Sequence, residues 1–325
     1  MDTYAIFPMS FTEKGFGFSG ESLLLKKQHK EKKERIFMIP SNERAKTYIE
    51  KGQHKTSHKH SKIFVLAILG GMFSAFGCIG YHFGKFYGGG ATGEIVGALV
   101  FPIGIILTTM AGAELFTGNC LLSLPLLSGH VKLKRVILNL ALVYAGNLLG
   151  SIAIALITAG SGVLEPLSGM VIAHAAAKAG LNPIYAFLRG LLCNMLITLG
   201  VWGAEASKSA PGKILSVYFP VVVFVLAGFE NANTNMYFLS AGIFTSMFYE
   251  GSAGALTILL GFITNLIPVS LGNFVGGMTI GALYKHAHVE DELFDDKTSP
   301  EEETIEEYIE EYIDDYIDEN EKIEN

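Results

Sequence analysis

The sequence lacks most of what a soluble enzyme or a disulfide-stapled domain requires. It has three cysteines, Cys78, Cys120 and Cys193, each inside an apolar run, which excludes a disulfide framework and any zinc spacing. No nucleotide-binding glycine loop, nucleophile elbow or metal-ligand cluster occurs, so neither an enzyme nor a metal or other cofactor is expected. Charge is scarce in the middle of the chain. Of 24 Lys and Arg, 13 fall in residues 1–62, and of 31 Asp and Glu, 18 fall in residues 289–325. The net charge of −7 therefore describes two tails around an apolar core, the composition of a membrane protein with soluble ends. Residues 1–60 are too polar to supply the apolar stretch of a signal peptide, so the first span is expected to act as the insertion signal, without cleavage. The basic residues 26–35 lie next to a bilayer, where lipid is a cheaper partner than nucleic acid.

What is present is organised around one phrase that occurs twice. Ala111-Gly-Ala-Glu-Leu-Phe-Thr-Gly-Asn119 and Ala227-Gly-Phe-Glu-Asn-Ala-Asn-Thr-Asn235 share the frame Ala-Gly-x-Glu-x-x-x-x-Asn. Each lies in an apolar run too long for one span: residues 94–129, 36 residues, would reach roughly 54 Å as a straight helix, against a hydrocarbon core of about 30 Å. Residues 214–248 pose the same problem. Polar, loop-forming sequence at membrane depth is tolerated only where protein buries it or it lines a cavity, and paired broken helices in two halves point to a transport site.

Six membrane segments are expected, at 63–83, 94–129 (broken), 133–161, 184–206, 214–248 (broken) and 255–284. The fold class is an all-α membrane protein, two inverted three-helix repeats with spans two and five broken. Leu69-Gly70-Gly71 in span one is aligned with Leu188-Arg189-Gly190 in span four, and Gly146-Asn147 with Gly272-Asn273. Lys132, Lys134, Arg135, Lys208 and Lys213 lie in loops on the side of the N-terminus, and only Lys85 and Lys178 on the other, which puts both termini in the cytoplasm. The domain plan is a disordered basic cytoplasmic arm (1–40), an amphipathic interfacial helix (41–62), a six-span transport domain (63–286) and an acidic cytoplasmic helical tail (287–325). In the interfacial helix Lys51, Lys55, Lys59 and Lys62 are expected to meet anionic headgroups; the alternative is a solvated linker. The basic arm is the natural partner of the acidic tail, with a merely solubilising tail as the bland reading.

At these residues the chain resembles the formate/nitrite transporter family. The resemblance covers residues 41–286 and rests on Leu115-Phe116-Thr117 in the first break, Ala227-Gly228-Phe229-Glu230 before the second, Cys193-Asn194 in span four and Lys178 ahead of it. It implies an aquaporin-like fold, a homopentamer in the lipid bilayer with one pathway per protomer, and small monovalent weak acids such as formate, nitrite, acetate or lactate as substrates. It further implies an outer constriction from Phe101 and Phe224, an inner one from Ile105, Leu115 and Ile197, and pathway polar groups Thr117, Asn194, Glu230 and Asn235. Lys178 is placed in an outer vestibule. One departure is chemical: relatives have histidine after the glutamate of the second break, and here that residue is Asn231, which hydrogen-bonds but does not titrate.

The expected activity is passive, proton-linked transport across a membrane taken to be the plasma membrane, with the proton drawn from vestibule water and Asn231 hydrogen-bonding the substrate in transit. The alternatives are an anion channel and an aquaporin-like channel for neutral solutes; the Asn-Pro-Ala signature of aquaporins is absent from both breaks. A non-transporting scaffold worked by its tails is a further reading. Glu114 and Glu230 are expected to pin loop N–H groups, with a transport role as the alternative, and His174 to be a surface residue, with a substitute proton donor as the alternative.

Overall fold

The computed structural model describes residues 38–251 and 254–289, which form helices and turns apart from one antiparallel bridge between Met38 and Ser207. The order is α1 (Ser41–Ser57), α2 (His60–Gly88), α3 (Gly90–Val100), α4 (Ile103–Ala111), α5 (Phe116–Leu127, with a 3-10 turn at Cys120–Leu122), α6 (Leu133–Gly160), α7 (Ser168–Ala179), α8 (Pro183–Ala206), α9 (Ala210–Leu226), α10 (Ala232–Thr245), α11 (Ala255–Thr264) and α12 (Leu266–His288). Five stretches are long and apolar enough to cross a bilayer: His60–Gly88, Gly90–Ala111, Leu133–Gly160, Pro183–Ala206 and Ala255–His288. The remaining expected span consists of α9 and α10, 17 and 14 residues long, each short of the roughly 20 residues a span needs. Large apolar side chains face outward throughout, Ile157 at 65% exposure and Leu256 at 68%, as a surface against lipid or a neighbouring subunit requires.

Both breaks are built alike, and the shared phrase says why. Gly112 and Gly228 take positive φ of 72° and 66°, the left-handed conformation that ends a helix and that glycine adopts without a Cβ penalty. The next helix then starts at Phe116 after extended Leu115, and at Ala232 after extended Asn231. The freed backbone groups are taken up by one asparagine per half. Asn147 accepts from Phe116 N at 2.9 Å and donates to the carbonyls of Ala67 and Glu114 at 2.7 and 2.8 Å. Asn273 accepts from Ala232 N at 2.8 Å and donates to Gly190 and Glu230 at 2.7 and 3.0 Å. The pinning expected of Glu114 and Glu230 is therefore done by Asn147 and Asn273.

These contacts fix the register of the repeat. Lys55 and Lys178, Leu66 and Arg189, Ala67 and Gly190, and Ile68 and Leu191 all stand 123 residues apart, and each pair makes equivalent contacts. Gly150 closes on the Ile68 carbonyl as Gly276 closes on that of Leu191. Gly146-Asn147 and Gly272-Asn273 are equivalent as expected, but the alignment of Leu69 with Leu188 is four residues out. A four-residue slip keeps the helix face nearly unchanged, so the glycine pattern alone did not reveal it.

The first expected helix needs a similar correction. It ends at Ser57, α2 begins at His60, and α1 packs against the bundle. Arg44, Ala45, Tyr48, Ile49 and Gly52 are buried, and the Arg44 guanidinium lies 5.1 Å from the Trp202 ring centre. Met38 to Pro40 are tied down ahead of it, Ile39 N donating to Ala206 O at 2.8 Å. Residues 1–37 and 290–325, which carry the expected arm, nearly all of the acidic tail and the contact between them, lie outside the described residues.

Candidate functional site

Three cavities lie in line between the two breaks. One of about 450 Å³ opens at the α1 end, one of about 210 Å³ at the α7 end, and a chamber of about 30 Å³ lies between them. The chamber shares Phe101, Phe224 and Thr234 with the α7-side cavity, and Ile105, Leu115 and Thr117 with the α1-side cavity. Phe101 and Phe224 meet edge to face, ring centres 5.7 Å apart. Ile197 completes the chamber wall. A chamber of that size holds about two water-sized guests, so it is the narrow part of the path between the two vestibules.

The polar lining of the chamber comes from the breaks. Asn233 donates from Nδ2 to Thr117 Oγ1 at 3.1 Å, joining the two half-helix starts across the lumen. Asn231 spends its Oδ1 on Asn233 N at 3.0 Å, capping α10, and its side chain lines the chamber beside Cys193. Ser74 and Thr234 were not singled out in the sequence, yet they line the chamber with Thr117, Asn231 and Asn233. Asn194 and Asn235, expected in the pathway, are fully buried behind it. Asn194 donates to Asn273 O at 2.6 Å, and Asn235 donates to Glu230 and Asn265 at 2.6 and 2.7 Å. Both hold helices together, and neither lines the three cavities.

At each mouth the phrase's glutamate meets a lysine. Lys178 Nζ lies 3.1 and 3.0 Å from the two Glu230 oxygens, with its side chain 11% exposed. Lys55 Nζ lies 2.8 Å from Glu114 Oε2 and 2.8 Å from Asn119 Oδ1. Asn119 donates to Asn139 at 2.9 Å, as Asn235 does to Asn265. The Lys–Glu–Asn–Asn network is thus present twice, once per half. Lys178 lines the α7-side vestibule, but Glu230 offsets its charge. Lys55 is turned into the protein and not toward headgroups, and Lys51 pairs with Glu205. Its role was illegible because 59 residues separate it from Glu114; the only signal was its register with Lys178.

Beside the α1-side vestibule, burial pushes the Tyr48 phenol well above its usual range, with Glu205 and Glu114 adding to the effect. It stays a neutral hydroxyl there. At the other mouth His174 belongs to the vestibule wall and not to the outer surface, and its Nδ1 lies 3.1 Å from Nε2 of buried His82.

A lumen framed by two broken helices, narrowed at two apolar levels and polar between them, defines a membrane channel or transporter of the inverted-repeat type. Comparison with known proteins makes it specific. Residues 42–287 match the formate/nitrite transporter family, and the chain belongs to that family. A probable formate transporter of Methanothermobacter thermautotrophicus is 34% identical over 255 residues, covering 71% of this chain and 90% of that protein. Formate channel FocA of Escherichia coli K12 is 31% identical over 265 residues, covering 74% and 91%. A solved pentameric formate channel with formate bound superposes with a TM-score of 0.64 at 30% identity, covering 71% of this chain and 98% of that one. Every expected constriction residue faces the lumen in this fold, while Asn194 and Asn235 support it from behind.

Proposed function

We propose that the protein carries small monovalent weak acids, of the formate, acetate, lactate and nitrite class, passively and with a proton, crossing the two apolar levels as the neutral acid. Named similarity to formate channels and transporters supports the substrate class. The single observation that carries the mechanism is a chamber of about 30 Å³ lined by Phe101, Phe224, Ile105, Leu115 and Ile197, whose apolar side chains form the two constrictions in this reading. Taking an anion through such walls costs several kcal/mol or more. Protonating a carboxylate of pKa about 4 at pH 7 costs about 4 kcal/mol, three units at 1.36 each. The neutral route is competitive, and the chamber offers amide and hydroxyl groups, which serve a neutral acid.

Lys178 and Lys55 each keep ammonium protons beyond those given to glutamate, and with the half-helix starts at Phe116 and Ala232 they supply a positive potential to an arriving anion. The lysine distribution in the loops puts the α1 end in the cytoplasm with both termini, and the α7 end outside. Six spans and assembly as a homopentamer follow the family pattern, and the exposed apolar faces suit lipid and subunit contacts. The plasma membrane is the site of action in this reading.

The test is uptake of labelled formate, acetate or lactate into vesicles of reconstituted protein across a pH gradient. Uptake falls as the outside pH rises; acceleration, or a current carried by the anion, overturns the proposal. The pairing of both lysines with glutamate reduces the positive charge of the vestibules, which favours a second reading as a channel for neutral solutes. Osmotic swelling with and without weak acid separates the two.

A further inference from the structure

The proton-linked reading leaves a gap, because Asn231 cannot supply a proton and the second-break glutamate is tied up by Lys178 and Asn235. The α7-side vestibule contains one imidazole in its wall, His174, alongside Lys178, Phe101 and Phe224. Resting on that reading, we propose that the His82–His174 pair hands the incoming anion its proton just before the Phe101–Phe224 constriction.

The geometry is that of a donor and the group that orients it. His82 Nε2 and His174 Nδ1 are 3.1 Å apart, with rings at 79°. Phe238 and Tyr81 hold the His174 ring, centres 4.6 and 5.6 Å away. His174 Nδ1–H donates to His82 Nε2, so His82 steadies an imidazolium as a second-row acceptor steadies a histidine in catalysis. The remaining His174 nitrogen takes a proton from vestibule water and passes it to the carboxylate oxygen. The neutral acid moves inward, His174 is left neutral, and water recharges it; one outside proton is consumed per acid carried.

Two ion pairs flank the imidazoles, and Arg189 on α8 lines the same vestibule. Lys178 on α7 is paired with Glu230 of the second break, and Lys85 on α2 with Glu94 on α3. Tyr81 donates to Glu94 at 2.7 Å, and Cys78 on α2 donates to Thr234 O at 3.8 Å. Tyr237 on α10 packs with its ring centre 6.4 Å from that of His82. Burial and the nearby Lys178 and Lys85 ammoniums oppose a proton on His174, and an arriving anion offsets them. His82 Nδ1 is buried with no hydrogen-bond partner. A phenylalanine would fill that space without the cost of an unsatisfied group, so packing alone does not account for a histidine there.

The experiment is labelled-formate uptake by the reconstituted full chain over a range of outside pH, comparing wild type with His174→Gln and His82→Gln, and adding outside imidazole to His174→Ala. We expect His174→Gln to lose about tenfold or more near neutral outside pH and little in acid, where solution supplies enough neutral acid. His82→Gln moves the midpoint of the pH profile to lower pH, and imidazole restores His174→Ala. A His174→Gln profile that is the wild-type curve scaled by one factor, or imidazole without effect, overturns the inference while proton-linked transport stands. If His174→Gln does not fold, the His82→Gln midpoint decides, an unmoved midpoint overturning the inference. If wild-type uptake itself does not fall with rising outside pH, the transport reading fails and this inference falls with it.

Discussion

Removing one member of the Lys178–Glu230 pair strands a charge, and the size of the effect follows from the burial. The two side chains are 11% and 7% exposed, with Nζ about equidistant from both carboxylate oxygens. Breaking a buried pair from one side costs about 3–5 kcal/mol, while replacing both partners with neutral groups of similar shape is often close to neutral. Lys178→Met leaves the Glu230 carboxylate with Asn235 at 2.6 Å as its one remaining side-chain donor. Glu230→Gln leaves the ammonium with an amide oxygen and the Phe238 ring, 5.3 Å away. Each single variant is expected to lower the thermal unfolding midpoint in detergent clearly, and the double variant to recover most of the loss. Uptake separates structure from function: the double variant folds but has lost the vestibule ammonium as a hydrogen-bond donor to the anion, so it takes up formate several-fold more slowly, with little dependence on salt because the net charge of the mouth is unchanged. Losses that simply add in the double variant, within about 0.5 kcal/mol, would refute a coupled pair. Wild-type uptake in the double variant at low salt would remove Lys178 from the mechanism.

Three further outcomes follow from the same geometry. Phe224→Ala deletes one ring of the edge-to-face pair at a cost of about 3–5 kcal/mol if the protein does not relax, and it is expected to admit bulkier monoacids, read as lactate uptake rising relative to formate. Asn231→His places a titratable group in the chamber at the expense of the α10 cap, a loss of about 1 kcal/mol; the pH profile of uptake is expected to change shape and not only scale. Asn273→Ala orphans Ala232 N and the carbonyls of Gly190 and Glu230, each worth about 1–3 kcal/mol when buried and unsatisfied, so little folded protein should be recovered by size-exclusion chromatography, and Asn147→Ala should behave alike.

The amino-acid sequence by itself determined that two apolar runs are too long for one span and that a shared phrase breaks both, because chain length per helical turn is a local quantity. Gly112 and Gly228 are each followed by glutamate and further polar residues midway along an apolar run, so the breaks were legible from the phrase alone. The lumen-facing Phe101, Phe224, Ile105, Leu115 and Ile197, and Asn231 as the departure from histidine, were all reached through the family resemblance. Only the tertiary structure decided the partners. Lys55 finds Glu114 across 59 positions, Asn139 finds Lys55 across 84, and His82 finds His174 across 92, and no periodicity records a meeting between helices. The same limit misplaced Asn194 and Asn235 in the pathway. A polar residue at membrane depth must satisfy its hydrogen bonds, but its sequence position does not say whether a neighbouring helix or a passing solute satisfies them.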